Sequence, residues 1–293
     1  MAISIEALDT PVCRLGEGAV WDVAEQALYY VDILGQEIRR FDPATGAERR
    51  WSALEPVGCL ALRRSGGAVV GLQTGLFAFD FATGAATLLV APEADRPGNR
   101  FNDATVDPRG RWWAGTVGMP APVAGAAAFY RFDPDLSCTR MIDGFTTTNG
   151  LAFSPDGRTM YFSDSFPTIQ TIWACDYDAD AGVPSNRRVF FDTGAVRGRP
   201  DGAAVDSDGC YWMAGVGGWQ LVRLTPVGAI DRIVELPVER PSRPCFGGPG
   251  LDTLFVTSIA VDTTPGTDQP LAGRVLAIDG LGVQGVAPPR FAG

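Results

Sequence analysis

Acidic and amide side chains stand directly in front of several apolar, strand-like segments of this chain. They are Glu17 in LGEGAVW, the run Asn99 to Asp103 in NRFND, Asn149 in TTTNGLAF and Asp201 in RPDGAAV. Carboxylate and amide oxygens are the ligands that hard divalent cations such as Ca²⁺, Mg²⁺ and Mn²⁺ prefer. If the fold brings these positions together, Glu17 and Asp201 supply two negative charges and Asn149 completes a set that leaves room for water and substrate.

Two residue types are missing, and their absence limits the possible chemistry. The chain of 293 residues has no histidine and no lysine, so all 24 basic residues are arginines. This excludes Ser-His-Asp and Cys-His nucleophile pairs, histidine metal sites, Schiff-base lysines and the lysine of a phosphate-binding Walker loop. The net charge of -10 also argues against a nucleic acid or an anionic membrane as a partner.

Two patterns alternate along the chain and indicate an internal repeat. The first is a hairpin-like segment with an apolar strand; its copies begin about 41 to 51 residues apart, at Ala19, Leu60, Ala104, Leu151, Gly202 and Phe246. The second is a short strand that ends in an apolar-Asp step, as in EIRRFDPATG, LFAFDFATG and FYRFDPDL. Six units of four strands predict an all-β fold, a six-bladed β-propeller with four-stranded antiparallel blades, as a single domain over residues 1–293.

The inner strand of each propeller blade lines a central channel, so the residues in front of the six inner strands meet at one mouth of it. Four of these positions carry an acid or an amide, whereas the second unit has Gly58 and the sixth has Cys245. The segment Ile3 to Ala7 is predicted to close the ring by pairing with the outer edge of the last blade, which would otherwise stay open.

Each candidate also has an ordinary structural explanation, and these alternatives remain open at this point. A lone Glu17 in front of a strand is usually just solvated, and Asn149 and Asp201 are each followed by glycine, a common turn pair. Arg100 can be a surface ion-pair partner of Asp103. The aspartates of the FDPATG and PDG segments are predicted to be turn formers only.

The cysteines and apolar segments bear on the compartment. The six cysteines form no CxxC pair and are expected to be reduced and mostly buried; they are Cys13, Cys59, Cys138, Cys175, Cys210 and Cys245. The N-terminal MAISIEALDT does not read as a secretion signal, and no apolar stretch reaches the ~20 residues of a membrane helix. We therefore expect a cytoplasmic protein without a membrane partner, and a monomer, because nothing in the sequence demands an interface.

The sequence resembles the regucalcin/gluconolactonase family, which includes senescence marker proteins and bacterial sugar lactonases. The resemblance covers essentially the whole chain. It rests on GEGAVW at Gly16, NRFNDATVDPRGRWWAGT at Asn99, TNGLAFSPD at Thr148, PDGAAVDSDG at Pro200 and PCFGGPGLDTLFVTS at Pro244.

The resemblance implies a six-bladed propeller with one divalent cation at the channel mouth, held by Glu17, Asn149 and Asp201. Ca²⁺ is the favoured ion, with Zn²⁺, Mn²⁺, Mg²⁺ and Fe²⁺ as the others. It also implies that Arg100 and Asn102 bind the substrate, a small sugar lactone. We add Asp103 beside them as a further substrate contact and as the second choice of general base.

One segment departs from the family pattern. Animal members carry a short acidic stretch that helps to bind substrate hydroxyls, whereas this chain reads GTVGMPAP, with Met119 and Pro120 in that place. The loop from Ala260 to Pro270 is a candidate lid on its length and composition.

The predicted activity is metal-dependent hydrolysis of a sugar lactone to the aldonic acid, with Asp201 as metal ligand and general base. The changed segment at Met119 motivates one alternative, a phosphotriester or other ester hydrolase on the same scaffold. The second alternative is a non-enzymatic calcium-binding propeller.

Overall fold

The computed structural model describes residues 2–293, and their regular structure is almost entirely β. Twenty-four strands form six four-stranded antiparallel sheets, and one 3-10 turn over Thr193–Ala195 is the only helical element in the described part of the chain. The strands of each sheet follow one another from the innermost to the outermost position. The predicted all-β, six-bladed propeller is therefore confirmed.

The first three complete blades follow a short leading strand, β1 (Ser4–Ala7). In chain order their strands are β2 (Gly16–Asp22), β3 (Ala27–Asp32), β4 (Glu37–Asp42) and β5 (Ala47–Ser52) in blade one; β6 (Val57–Leu62), β7 (Ala68–Leu72), β8 (Leu76–Phe79) and β9 (Ala86–Val90) in blade two; and β10 (Asn99–Val106), β11 (Trp112–Gly118), β12 (Ala127–Phe132) and β13 (Cys138–Phe145) in blade three.

The remaining three blades repeat this plan. Their strands are β14 (Thr148–Phe153), β15 (Thr159–Asp164), β16 (Thr171–Asp178) and β17 (Val183–Asp192) in blade four; β18 (Arg199–Val205), β19 (Tyr211–Val216), β20 (Gln220–Leu224) and β21 (Ile230–Glu235) in blade five; and β22 (Pro241–Gly247), β23 (Thr253–Ser258) and β24 (Leu276–Asp279), joined by β1, in blade six.

The ring is held together by hydrophobic contacts between neighbouring blades. Six buried clusters each combine side chains of two adjacent blades, so that every interface in the ring has its own core. The cluster between blades six and one includes Trp21 and Phe255, whose rings stack with centroids 5.3 Å apart. Inner strands such as VGCLAL are buried on both faces, whereas outermost strands such as AERRWS are largely exposed. This gradient from apolar to charged sequence sets the order of strands within a blade.

The N-terminal strand closes the ring, as predicted. β1 pairs antiparallel with β24, with Ser4 opposite Asp279 and Ala7 opposite Leu276, and so supplies the outermost strand of blade six. The first and last strands of the described chain thus lie side by side in one sheet, and β1 covers the edge that blade six would otherwise expose.

The predicted roles of the turn aspartates and of the cysteines are also confirmed. Asp42, Asp80 and Asp156 each accept a hydrogen bond from the backbone amide two residues further on, which is the geometry of an Asx turn. All six cysteines are free, and five are buried. No helix in the described residues has the length and apolar character needed to span a bilayer.

The closing strand gives a direct test of the ring. Ile5 packs against the core of blades five and six, whereas Ile3, just outside β1, is 46% exposed. We expect Ile5→Asp to lower the free energy of unfolding by about 2 kcal/mol, because it puts a charge against that core, and Ile3→Asp to change it by less than about 0.5 kcal/mol. Urea unfolding followed by tryptophan fluorescence measures both. Equal effects of the two substitutions would contradict the closure.

Candidate metal centre

The predicted site residues lie inside the inner strands, not in front of them, and each of these strands has a β-bulge at or close to them. The pairing register with the second strand breaks after Glu17 in β2, after Phe101 in β10, after Asn149 in β14 and after Pro200 in β18. A bulge bends a strand and re-aims its side chains. The same irregularity in successive blades therefore puts equivalent residues at one end of the channel, which we call the mouth.

Blade two fits the predicted alignment, but blade six does not. Gly58 lies at the register break of β6, as expected. In β22 the break falls between Pro241 and Pro244, so that Ser242 and Arg243 occupy the bulge. Cys245 instead pairs regularly with Phe255 and packs in the core between blades six and one. The residues at the bulge of blade six are therefore Ser242 and Arg243, and the assignment of Cys245 to this position was wrong.

The glycines after Asn149 and Asp201 serve the bulges. Gly150 has a φ of +66°, which only glycine adopts readily, and a Cβ there would lie 2.4 Å from the Tyr211 hydroxyl oxygen. A Cβ on Gly202 would lie 2.5 Å from the Cδ of Arg243. The Asn-Gly and Asp-Gly pairs thus mark strand bulges and close packing at the mouth, not exposed turns.

Glu17 and Asp201 are buried carboxylates without a counter-ion. Each is 7% exposed, and neither forms an ion pair with any arginine in the described chain. Glu17 accepts one hydrogen bond, from the Gly18 amide at 3.0 Å. Burial, with neighbouring carboxylates adding to it, raises the pKa of Glu17 well above its usual value and the pKa of Asp201 to about 7. Two acids in this state favour a nearby cation, which would stabilise both charges at once.

The amide of Asn149 is oriented by neighbours on both sides. Its Nδ2 donates to Ser165 Oγ at 2.6 Å, and its Oδ1 accepts from Asn102 Nδ2 at 3.0 Å. Ser165 Oγ in turn donates to the carbonyl of Pro200, next to Asp201. This chain of hydrogen bonds crosses blades three, four and five. It leaves a second lone pair of the Asn149 oxygen free to act as a ligand.

Arg100 is buried at the mouth and does not pair with an acid. It is 8% exposed and donates from Nη1 to the Phe101 carbonyl at 2.8 Å and to Asn102 Oδ1 at 2.7 Å. Its Nε has no partner within the described structure. Burial lowers the pKa of Arg100 to about 10, while the charges of Glu17 and Asp201 act in the opposite direction. The alternative of a surface ion pair between Arg100 and Asp103 is therefore not realised.

Asp103 pairs instead with Arg243, a residue that sequence analysis missed. Asp103 Oδ1 accepts from the Ala104 amide and from Arg243 Nη1, and its Oδ2 accepts from the Leu151 amide at 2.9 Å. Both oxygens are thus occupied by protein donors. The pair joins β10 to β22 across the channel and forms the floor of the mouth. The signal available in the sequence was an arginine in RPSRPCFGG at the bulge of the sixth unit.

Below this ion pair the channel is apolar. A cavity of about 210 Å³ is lined by residues of all six inner strands, among them Ala19, Ala104 and Ala203, and by the C-terminal segment Val286 to Pro289. Phe291 donates its amide to the Leu62 carbonyl and accepts from the Arg64 amide, which holds the C-terminal segment at the far end of the ring. Polar chemistry is therefore confined to the mouth.

The predicted lid connects β23 to β24 and leaves the ring at the mouth, because Ser258 pairs with Pro241. It is fastened there: Thr264 and Gln269 donate to the carboxylate of Glu239, and Arg240 donates to the carbonyl of Val261 at 3.0 Å. These contacts hold the loop against Glu239 and Arg240 at the start of blade six, and its role as a lid stays a prediction.

The donors at the mouth fit a divalent cation that prefers oxygen. Residues 2–293 contain no cluster of three or more acidic, cysteine or histidine side chains placed to hold an ion. A cation at the mouth would therefore depend on Glu17 and Asp201 together with the amide oxygen of Asn149. Two unpaired buried carboxylates beside an oriented amide meet the charge and oxygen preference of such an ion.

The chain resembles known proteins over nearly its full length. A family model described as SMP-30/Gluconolactonase/LRE-like region matches residues 15–260. Regucalcin of Xenopus laevis is 36% identical over 299 residues, which cover 100% of this chain and 99% of that protein. The 6-deoxy-6-sulfogluconolactonase of Pseudomonas putida is 38% identical over 281 residues, 95% of each protein. The crystal structure of a calcium-binding protein, regucalcin, from Agrobacterium tumefaciens has a TM-score of 0.91 at 30% identity, covering 97% of this chain and 96% of that one.

The raised pKa values make the stability of the cation-free protein depend on pH. A carboxyl group whose pKa is higher in the folded state than in the unfolded state makes the folded state less stable as the pH rises. For Asp201 this loss of stability occurs between its pKa in the unfolded chain, about 4, and its pKa in the folded protein, about 7. We expect the melting temperature without cations to fall between pH 5 and pH 8, and Asp201→Asn to reduce this fall. Added Ca²⁺ should stabilise more at pH 8 than at pH 5. An unchanged fall in Asp201→Asn, with the exposed Asp42→Asn as control, would contradict the assignment.

The floor of the mouth can be tested by a double-mutant cycle. Arg243→Met leaves Asp103 buried without its cation, and Asp103→Asn leaves the guanidinium without its anion, so each should cost about 3–5 kcal/mol of unfolding free energy. The double variant should lose less than the sum of the two by at least about 1 kcal/mol. Urea unfolding of the four proteins gives the coupling energy, and strict additivity would show that the pair does not act as one unit.

Proposed function

The chain belongs to the SMP-30/gluconolactonase/LRE-like family, and from this premise we propose that it hydrolyses a sugar lactone to the aldonic acid with the help of one divalent cation. The observation that carries the proposal is the pair of buried, unpaired carboxylates at the mouth, Glu17 and Asp201. The lactonase name of a relative at 38% identity supports the reaction class. Ca²⁺ is the proposed ion, supported by the calcium-binding relative at 30% identity, and Zn²⁺, Mn²⁺, Mg²⁺ or Fe²⁺ are the other candidates.

Glu17, Asn149 and Asp201 would hold the cation. When bound, it supplies Lewis-acid polarisation of the ester carbonyl, which is worth several kcal/mol in hydrolytic transition states. Burial of the two carboxylates keeps their charges poorly solvated, which strengthens their attraction to a cation. The Asn102–Asn149 hydrogen bond keeps the amide oxygen in place before substrate arrives, so that little reorganisation is needed.

Asp201 is the proposed general base. It removes a proton from the attacking water, whose oxygen bonds to the lactone carbonyl carbon as the ring C–O bond breaks. The ring oxygen takes this proton from the Asp201 carboxyl group and leaves as a hydroxyl group of the open acid, which returns Asp201 to its ionised form. The role requires the ionised carboxylate, which is the form that a bound cation would favour and the form that accepts a proton from water. Asp103, the second choice, is a poorer base, because Ala104, Leu151 and Arg243 already donate to its oxygens.

Arg100 and Asn102 are proposed to orient the lactone. The Nε of Arg100 is buried without a partner, so a substrate oxygen can satisfy it. Asn102 bonds to both Arg100 and Asn149 and thereby fixes the substrate-binding group relative to the metal ligands. Such positioning lowers the barrier by holding the ester in a reactive orientation.

Two further candidates remain. The absence of acids around Met119 supports a phosphotriester or other ester hydrolase on the same centre. The calcium-binding relative supports a propeller that binds the ion without turnover, although an unpartnered buried Arg100 is not needed for that role. We also propose a cytoplasmic monomer that acts on a small molecule; the free cysteines support the compartment.

A panel of aldonolactones, assayed with and without a chelator, tests the proposal. We expect at least one lactone to be hydrolysed, with activity lost on chelation and restored by Ca²⁺ or Mn²⁺. Glu17→Gln and Asp201→Asn should each lower kcat/KM by at least about a thousandfold, because both weaken the cation site. The control is Asp156→Asn, which removes an acid from a turn at the far end of blade four.

Two results would contradict the proposal. Full activity and full metal content in both site variants would show that the residues are wrongly assigned. Bound metal without hydrolysis of any lactone, ester or phosphotriester would leave only the binding protein.

A further inference from the structure

Arg199 and Arg240 lie at the mouth, and neither has a carboxylate partner within the described residues. Their neighbours along the sequence and in space are paired: Arg197 with Glu235 and Arg243 with Asp103. Arg199 and Arg240 are only half-buried, and within the described residues neither forms an ion pair. Their positive charges are therefore available at the mouth.

The contacts of Arg199 aim its charge toward the proposed centre. It lies at the start of β18, two positions before Asp201, and within the described residues its guanidinium forms one hydrogen bond, to the Ser165 carbonyl at 3.2 Å. Burial raises the pKa of Asp201, and the charges of Arg199 and Arg240 lower it. Both guanidiniums are thus close enough to act on this carboxylate, yet neither bonds to it.

Arg240 stands on the blade-six side of the mouth, directly before β22. Its Nη1 donates to the carbonyls of Val261 and Asp262, at 3.0 and 2.7 Å. The adjacent acid, Glu239, is occupied by Thr264 and Gln269 of the β23–β24 loop. The loop therefore holds Arg240 in place through neutral carbonyls, and no carboxylate of the described residues forms an ion pair with it.

The segment of blade three across the ring that includes the changed loop has no acidic side chain to bind hydroxyl groups. From Thr116 to Phe132 the chain has no acidic residue, and this range includes the loop with Met119. Glu93, which contacts the same blade, already accepts hydrogen bonds from Asn99 and Tyr130. The end of the substrate that lies away from the ester would thus be recognised by Arg199 and Arg240.

We propose that the substrate is a lactone that carries a second, permanently anionic group, a carboxylate, sulfonate or phosphate, and that Arg199 and Arg240 bind this group. Guanidinium groups bind such oxyanions through paired, charge-assisted hydrogen bonds. With Arg100 there are three unpaired guanidiniums at the mouth against two unpaired carboxylates, and a bound cation would make the mouth more positive still. The assignment rests on the proposed lactone hydrolysis for its ester, but the anion site stands on the arginines alone.

The kinetic test compares one neutral and one anionic substrate, D-glucono-1,5-lactone and its 6-phosphate. We expect the 6-phosphate to have the higher kcat/KM, and the ratio of the two values to fall at least about tenfold in the Arg199→Gln/Arg240→Gln double variant. Raising the ionic strength should also lower the ratio. The control is Arg158→Gln, which removes the same charge from the opposite end of the ring, where this arginine forms no ion pair. The Arg199→Lys/Arg240→Lys protein, which keeps the charges, should recover part of the preference.

A binding measurement separates this inference from the proposed reaction. Titration calorimetry with 6-phosphogluconate and with gluconate needs no turnover, and we expect the former to bind at least about tenfold more tightly in the native protein but not in the double Gln variant. Such a preference without hydrolysis of either lactone would support the anion site and exclude these two lactones as substrates. Hydrolysis of both lactones with the same ratio of kcat/KM values in the native protein and in the double Gln and double Lys variants would overturn the anion site. It would leave the proposed lactonase activity unaffected.

Discussion

Two carboxylates that are buried together without a counter-ion, Glu17 and Asp201, are the constraint on which the mouth of this propeller depends. Taking an ionised acid out of water costs several kcal/mol unless an opposite charge lies close by. The protein meets this cost for most other buried acids with arginine, as in Asp206 with Arg223 and Asp103 with Arg243. For Asp164 and Glu239 it supplies several hydrogen-bond donors instead. At Glu17 and Asp201 it does neither. The chain thus leaves two buried carboxylates without an ion-pair partner at the mouth, where the inner strands converge, which is what a site for a cation requires.

The rest of the fold holds this unfavourable arrangement in place. Six separate cores between neighbouring blades and the closing strand make the ring rigid, so the inner strands cannot move apart to let water solvate the acids. The bulges aim the side chains into the mouth, and the hydrogen-bonded chain from Asn102 through Asn149 and Ser165 fixes the neutral members. The Asp103–Arg243 pair separates this polar layer from the apolar channel below. None of these features is unusual by itself. The functional feature is that Glu17 and Asp201 have no counter-ion.

The sequence predicted most of the architecture because each repeat is marked by short sequence patterns that can be recognised locally. Alternating apolar segments and Asp-Gly turns recur at a nearly constant interval, and this periodicity gave six blades and a place for the N-terminal strand. The equivalence of Glu17, Asn149 and Asp201 followed from the same repeat, and the structure puts all three at bulges of inner strands.

What could not be predicted depends on register and on distant contacts. The apolar strand of blade six is clear in the sequence, but the position of its bulge is not, and the alignment therefore selected Cys245 instead of Arg243. Asp103 and Arg243 are 140 residues apart, and no local pattern connects them. The sequence therefore did not show that Asp103 belongs to the floor of the mouth. It also did not show that Arg199 and Arg240 lack ion-pair partners. Pairing of side chains across a closed ring is a property of the assembled fold.

Anomalous diffraction from crystals soaked in Mn²⁺ tests the central claim most directly. Mn²⁺ prefers the same oxygen ligands and can be located without any assumption about the reaction. The account predicts one strong anomalous peak at the mouth, within about 2.5 Å of carboxylate oxygens of Glu17 and Asp201 and of the amide oxygen of Asn149. A fully occupied peak elsewhere, with Glu17 and Asp201 bonded only to protein or water, would contradict it.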